Sequence, residues 1–192
     1  MKKILCIMLL AAMATGAFAQ EQGKIRGGLD FGYCIPKGGG GVCFDLQLGY
    51  NLKDNMTVGI KYGNALMGKV DPMGENASIS ANGNFLGTYT YYFSSGGSSF
   101  APFVGGGLGM YTLASFSTGA SSYTVDAGGK FGGALTAGFE AGKFRMALEY
   151  NLVPSSGVTV TDNSVTLENT SIKNSYLAVT VGFYIGGGKW KK

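Results

Sequence analysis

The chain has 192 residues, a net charge of +4 and no histidine. Its 34 glycines, 12 Phe and 11 Tyr, set beside only 14 % charged residues, describe strands and turns rather than a helical enzyme. The weak positive charge is spread along the chain and clusters only in the tail Lys189-Trp190-Lys191-Lys192, which leaves no nucleic-acid footprint.

In chain order, Lys2 and Lys3 precede the apolar run Ile4 to Met13, and Ala17-Phe18-Ala19 closes the segment. That is the pattern of a secretory signal peptide over residues 1–19, with cleavage leaving Gln20 first. A lipoprotein signal needs a cysteine at the cleavage site, and Cys6 comes too early. Nothing else approaches the roughly 20 apolar residues of a membrane-spanning helix. Residues 20–192 read as one domain, with strands within 24–185 and a basic tail over 186–192.

From Lys24 the pattern has a period of two. Ile25, Leu29, Phe31, Tyr33 and Ile35 share one face with Gly27, while Lys24, Arg26, Asp30 and Cys34 share the other with Gly28 and Gly32. After a glycine turn, Val42, Phe44, Leu46, Leu48 and Tyr50 alternate with Cys43, Asp45, Gln47 and Gly49. Centring the turn on Gly38-Gly39 sets Tyr33 opposite Phe44 and Cys34 opposite Cys43. Directly opposed residues lie about 4.5–5.5 Å apart, within reach of a disulfide. Cys34 and Cys43 therefore read either as a disulfide or as two free buried thiols.

The alternation recurs. Met56, Val58, Ile60 and Tyr62 oppose Thr57 and Lys61 in a third strand, and Phe85, Tyr89, Tyr91 and Phe93 oppose Asn82, Asn84, Leu86 and Tyr92 in a fourth. A turn centred on Gly96-Gly97 pairs Phe93 with Phe100 and leads to a fifth strand, with Val104, Leu108 and Met110 on one side and Phe103 and Tyr111 on the other. A sixth strand through Phe131, Leu135 and Phe139 meets a seventh through Phe144, Met146, Leu148, Tyr150 and Leu152. A two-residue turn at Ala141-Gly142 there places Glu140 opposite Lys143. The eighth strand carries Leu177, Val179, Val181, Phe183 and Ile185.

The connections alternate too. Those at 51–55, 94–99 and 141–142 are short, while 64–80, 114–130 and 154–174 are long and rich in Gly, Ser, Thr and Asn. Short turns at one end and longer loops at the other are the signature of a transmembrane barrel, which places both termini on the periplasmic side and the long loops outside the cell. The charges decide the direction of the faces. Lys24, Arg26, Lys61, Arg145, Asp30, Asp45, Glu140 and Glu149 all fall on the polar face, with formal charges summing to zero. Inside a narrow barrel they can pair, whereas each Arg or Lys facing lipid near the midplane would cost roughly 2–4 kcal/mol. Backbone groups in lipid must be satisfied internally, so the sheet has to close. The expected fold is an all-β, eight-stranded, antiparallel up-and-down transmembrane barrel. Its expected interior network comprises Arg26, Asp30, Asp45, Lys61, Arg145 and Glu149.

On these residues, and on Pro102-Phe103-Val104-Gly105-Gly106-Gly107-Leu108-Gly109, the chain resembles the small eight-stranded outer-membrane barrels of the OmpA/OmpX type. The resemblance covers essentially all of 24–185 and implies a bacterial outer-membrane location. One departure is that Gly186 to Lys192 follow the last apolar strand residue, where such barrels usually end on an aromatic. Members of this fold include adhesins, structural proteins and lipid-modifying enzymes, so the likeness carries no reaction.

Outer-membrane barrel enzymes are similar to one another in using a histidine as general base, and none is present here. We expect no enzyme, no catalytic residue, no cofactor and no metal. The loop carboxylates Asp71, Glu75, Asp126 and Asp162 are the nearest thing to a calcium ligand set. Inward Tyr92, Phe103, Tyr111, Tyr176 and Tyr184 fill a barrel just wide enough for its side chains. The expected function is a non-enzymatic, monomeric surface barrel in outer-membrane lipid, displaying loops 64–80, 114–130 and 154–174 to an extracellular protein or matrix partner. The alternative is a narrow pore or a conduit for a small apolar ligand.

Overall fold

The computed structural model describes residues 21–70, 77–93, 100–117, 128–162, 165–172 and 174–187. The segment read as a signal peptide, the turn residues 94–99 and the tail from 188 lie outside them. Ten strands are present: β1 (Ile25–Pro36), β2 (Gly39–Lys53), β3 (Met56–Val70), β4 (Ala77–Tyr92), β5 (Phe100–Ser117), β6 (Gly128–Ala141), β7 (Phe144–Leu152), β8 (Ser156–Asp162), β9 (Val165–Ile172) and β10 (Tyr176–Gly186). Eight of them close into an antiparallel barrel in the order β1-β10-β7-β6-β5-β4-β3-β2. β8 and β9 form a separate two-stranded sheet within the connection expected to be a plain loop over 154–174.

The barrel is apolar outside and charged inside. Leu108, Leu135 and Phe183 stand 65 %, 59 % and 66 % exposed, while Arg26, Asp30, Lys61 and Arg145 are all under 5 %. A water-soluble fold reverses this arrangement. Lipid rewards it, because the wall presents hydrocarbon and every ladder hydrogen bond is made within the closed sheet. The strands keep the faces that alternation assigns to them. Lys24 does not join the inner face, however, since it precedes β1 and is exposed.

Three hairpin registers differ from expectation, each by two residues. The first turn is Lys37-Gly38, which sets Tyr33 against Val42, Phe31 against Phe44 and Cys34 against Gly41. The β4–β5 pair sets Tyr91 against Val104 and Tyr92 against Phe103. The β6–β7 turn is Gly142-Lys143, so Glu140 faces Arg145 rather than Lys143. A shift of two leaves every side chain on its own face, so alternation cannot detect it. The turn backbone does: Gly38 and Gly142 have φ of 81° and 63°, a left-handed conformation that glycine adopts without strain.

The barrel wall is taller than expected. β3 continues to Val70 and β4 begins at Ala77, so most of 64–80 is strand, and β5 and β6 likewise extend into 114–130. At the short-turn end the two ends of the described chain are tied together. The Glu21 N–H donates to Gly187 O (2.6 Å) and the Gly187 N–H to Ile25 O (2.9 Å). Fully buried Asn51 donates to both Glu21 O and Gly187 O at 3.1 Å, while Thr57 Oγ1 donates to its Oδ1 at 2.8 Å.

Candidate functional site

The lumen is the candidate site, and it is layered. At the short-turn end Glu140 sits between two guanidiniums. Arg26 Nη2 donates to both Glu140 oxygens at 2.8 Å, and Arg145 Nη1 lies 3.5 Å from Oε1. The Tyr92 hydroxyl donates to Glu140 Oε1 (2.9 Å) and accepts from Arg26 Nη1 (3.0 Å). Aromatic faces complete the shell, with Arg26 4.3 Å above the Tyr184 ring and Arg145 4.1 Å above that of Phe103. The pairing follows from register: Glu140 and Arg145 are direct partners on β6 and β7, and Arg26 enters from β1 across the barrel.

Midway along the lumen the arrangement inverts, with one cation between two carboxylates. Lys61 on β3 pairs with Glu149 on β7 and lies 3.9 Å from Asp45 on β2. Glu149 also accepts from Asn151 Nδ2 (3.0 Å) and Thr136 Oγ1 (3.1 Å), and the Tyr111 hydroxyl donates to Asn151 Oδ1 at 2.8 Å. Asp30 accepts from Gln47 Nε2 at 2.9 Å and from the Tyr184 hydroxyl at 3.4 Å. One cross-strand row runs Arg145, Gly182, Asp30, Asp45, Gly63, Asn84. The two glycines flanking the aspartates make room for them: a Cβ at Gly182 would stand 1.8 Å from Asp30 Oδ1, and one at Gly63 2.1 Å from Asp45 Oδ1.

Toward the long-connection end the lumen is apolar, filled by Cys34, Cys43, Met67, Leu86, Leu113 and Tyr176 among others. Cys34 and Cys43 are free, buried thiols. They are diagonal neighbours, Cys34 facing Gly41 and Cys43 facing Gly32. That corrects the direct opposition expected from the sequence. Diagonal positions are about 7–8 Å apart, beyond the usual span of a disulfide.

All six residues of the expected network thus point into the lumen, but they do not form one network. Arg26 and Arg145 converge on Glu140, which had been assigned to the turn residue Lys143. Its place on the polar face was visible in the sequence, and the register that brings it to two arginines was not. Of the loop carboxylates, Asp71, Glu75 and Asp126 lie outside the described residues. No cluster of three or more His, Cys, Asp or Glu suited to a metal occurs among the described residues. Arg26, Gln47, Thr57, Thr90, Tyr92 and Tyr184 line a cavity of about 20 Å³, room for a single water.

OprG, an outer membrane protein of Pseudomonas aeruginosa, superimposes on 87 % of this chain and 98 % of its own, with a TM-score of 0.57 at 13 % identity. The fold is that of the small outer-membrane barrels. The N-terminal β-barrel domain of OprF from the same organism (TM-score 0.43, 15 % identity, 86 % and 100 % covered) and the outer membrane enzyme PagL (0.47, 14 %, 83 % and 98 %) are similar at a lower level. Of these three the OprG likeness alone is deep enough to argue from, and at that identity it speaks for the fold. No protein-family model matches the sequence, and no curated protein matches it.

Proposed function

We propose that this chain is a non-enzymatic, monomeric barrel of the bacterial outer membrane, a closed pillar that holds its long connections at the cell surface for contact with an extracellular protein or matrix. The observation that carries this reading is the filled lumen: two layers of paired charges and an apolar plug occupy the bore, and the cavity beside Arg26 and Tyr184 has room for a single water. An ion would have to break buried pairs at both layers to pass. The connections from β3 to β4, from β5 to β6 and from β7 to β10 leave the barrel at the end opposite the tied chain ends, which this reading sets in the periplasm. The last of these connections carries the hairpin β8–β9.

Deleting residues 156–172 and shortening the other two connections is expected to leave a folded barrel, seen as a mobility difference between unboiled and boiled protein on a denaturing gel. Binding to cells or matrix should be lost. Stable unitary currents from the purified protein in planar bilayers would overturn the closed-pillar reading in favour of a pore.

A further inference from the structure

Toward the long-connection end of the lumen, three sulfur side chains surround one glycine. Cys34 on β1 is the direct partner of Gly41 on β2, and Gly41 is in turn the direct partner of Met67 on β3. Cys43 lies two residues along β2 on the same face, against Gly32 on one side and Ala65 on the other, so it is diagonal to both Cys34 and Met67. Diagonal positions are about 7–8 Å apart in the backbone, a gap that long side chains still cross. Methionine is one of these, unbranched and adaptable. Gly41 itself leaves the middle free, since a Cβ there would stand 2.0 Å from Leu66 O and 2.6 Å from Met67 Cα.

All three residues are buried in one cluster with Ala65, Leu86 and Ala178, and the thiols of Cys34 and Cys43 lie within hydrogen-bonding reach of each other. The register that puts a disulfide out of reach suits a metal bridge. A disulfide holds its sulfurs about 2.05 Å apart, whereas two metal–sulfur bonds of about 2.3 Å let them stand up to about 4.6 Å apart. The donor set also selects the metal. The chain has no histidine, and among the described residues no Asp or Glu is placed to join the two thiols as a ligand. Thiol and thioether sulfur alone suit a soft ion, Cu(I) before the harder Mg, Ca or Mn.

We propose that Cys34, Cys43 and Met67 form a three-sulfur binding site for a soft monovalent metal ion, Cu(I). On binding, one copper–sulfur bond replaces one S–H bond and that proton leaves to solvent. The single positive charge of the ion offsets that of the thiolate, so an apolar layer gains no net charge. The second thiol and the thioether donate lone pairs as neutral ligands, and nothing is oxidised or reduced. The site goes beyond the display of loops and does not depend on it.

The test is an anaerobic titration of the folded barrel in detergent, lacking residues 1–19 and with them Cys6, against Cu(I) held by the chromogenic chelator bicinchoninate. The barrel should withdraw one copper ion per chain at equilibrium. Cys34→Ser and Cys43→Ser should each abolish the uptake. Met67→Leu conserves apolar volume and so keeps the fold, but should bind about tenfold or more less tightly, since a ligand matters at least as much as the outer-shell partners of a metal. A wild type that takes up no copper overturns the proposal, as does a serine variant that binds like the wild type, or a Met67→Leu variant of undiminished affinity. If the serine variants do not fold, X-ray absorption at the copper edge of the loaded wild type decides. A shell of sulfur alone is expected, and nitrogen or oxygen neighbours refute the site.

Discussion

The two charged layers of the lumen are built on opposite plans. Near the short turns one carboxylate, Glu140, serves two guanidiniums; midway along the bore one ammonium, Lys61, serves two carboxylates. The difference follows the chemistry of the cations. A guanidinium is planar and weakly hydrated, so it can stack on Tyr184 and Phe103 and tolerate a half share of a carboxylate. An ammonium is a compact point charge that needs oxygen around it, and Lys61 sits where carboxylates and amides are dense. The bore is thus closed twice by different means, and the excess negative charge belongs to the Lys61 layer.

The largest expected effect comes from emptying the centre of the arginine layer. Glu140→Ala leaves two buried guanidiniums without their shared carboxylate, and a buried charge stripped of its partner costs about 3–5 kcal/mol. Urea titration of the folded barrel should show it as an earlier midpoint with an unchanged slope. A midpoint within error of the wild type would mean that the aromatic faces alone hold Arg26 and Arg145.

Lys61→Met tests the other layer and should cost less, about 3 kcal/mol at the lower end of that range. Glu149 keeps its donors Thr136 and Asn151, which limits the loss. Adding Glu149→Gln to Lys61→Met should recover part of it, because Asp45 is then the one carboxylate of this layer left without its cation. If the two losses simply add, Lys61 and Glu149 are not coupled as the structure has them.

The wall between the layers gives a smaller and more local effect. A methyl at Gly182 would stand 1.8 Å from Asp30 Oδ1 and 2.3 Å from Leu29 O. Since one of these is backbone, Gly182→Ala cannot be relieved by a rotamer change alone, and overpacking of this kind costs about 1–3 kcal/mol. Gly27→Ala is the control. Its Cβ would meet nothing closer than 3.9 Å, so its midpoint should move far less. Equal losses in the two variants would show that general strand stiffness, rather than room for Asp30, is what Gly182 provides.

The barrel itself was legible because period-two alternation is a strong signal when one face meets lipid and the other meets charge. Which residues share the lumen followed from parity alone. What parity cannot give is position along the strand. Shifting β7 by two against β6 moves Glu140 from Lys143 to Arg145, and both partners are cations, so side-chain chemistry does not discriminate. The same shift at the first hairpin turns Cys34 and Cys43 from opposed into diagonal neighbours. Strand length was hidden for another reason. Around Asn64, Gly68 and Gly83 the apolar face is diluted by glycine and asparagine, and a glycine votes for neither side, so 64–80 read as loop although most of it is wall. Asn84 was legible as an inward residue, but its place beside Asp45 across Gly63 appears only once three adjacent strands are in register.

The smallest expected effect is at the cysteines, and it tests that register directly. Gly41 and Gly32 stand opposite Cys34 and Cys43, and the diagonal left between the thiols, about 7–8 Å between backbone positions, exceeds the span that a disulfide usually bridges without backbone movement. Protein lacking residues 1–19, and with them Cys6, should therefore show two reactive thiols when denatured without reductant. Folded in detergent it should show slow labelling at both, since Cys34 is fully buried and Cys43 nearly so. Adding reductant should leave the unfolding midpoint within about 0.5 kcal/mol, the range of a change that touches nothing structural. Finding no free thiol would mean that the pair is bridged. The first hairpin would then have to sit two residues from the register described, taking Tyr33 to Phe44 and moving every contact that β2 makes with β1, the Asp30 and Asp45 row included.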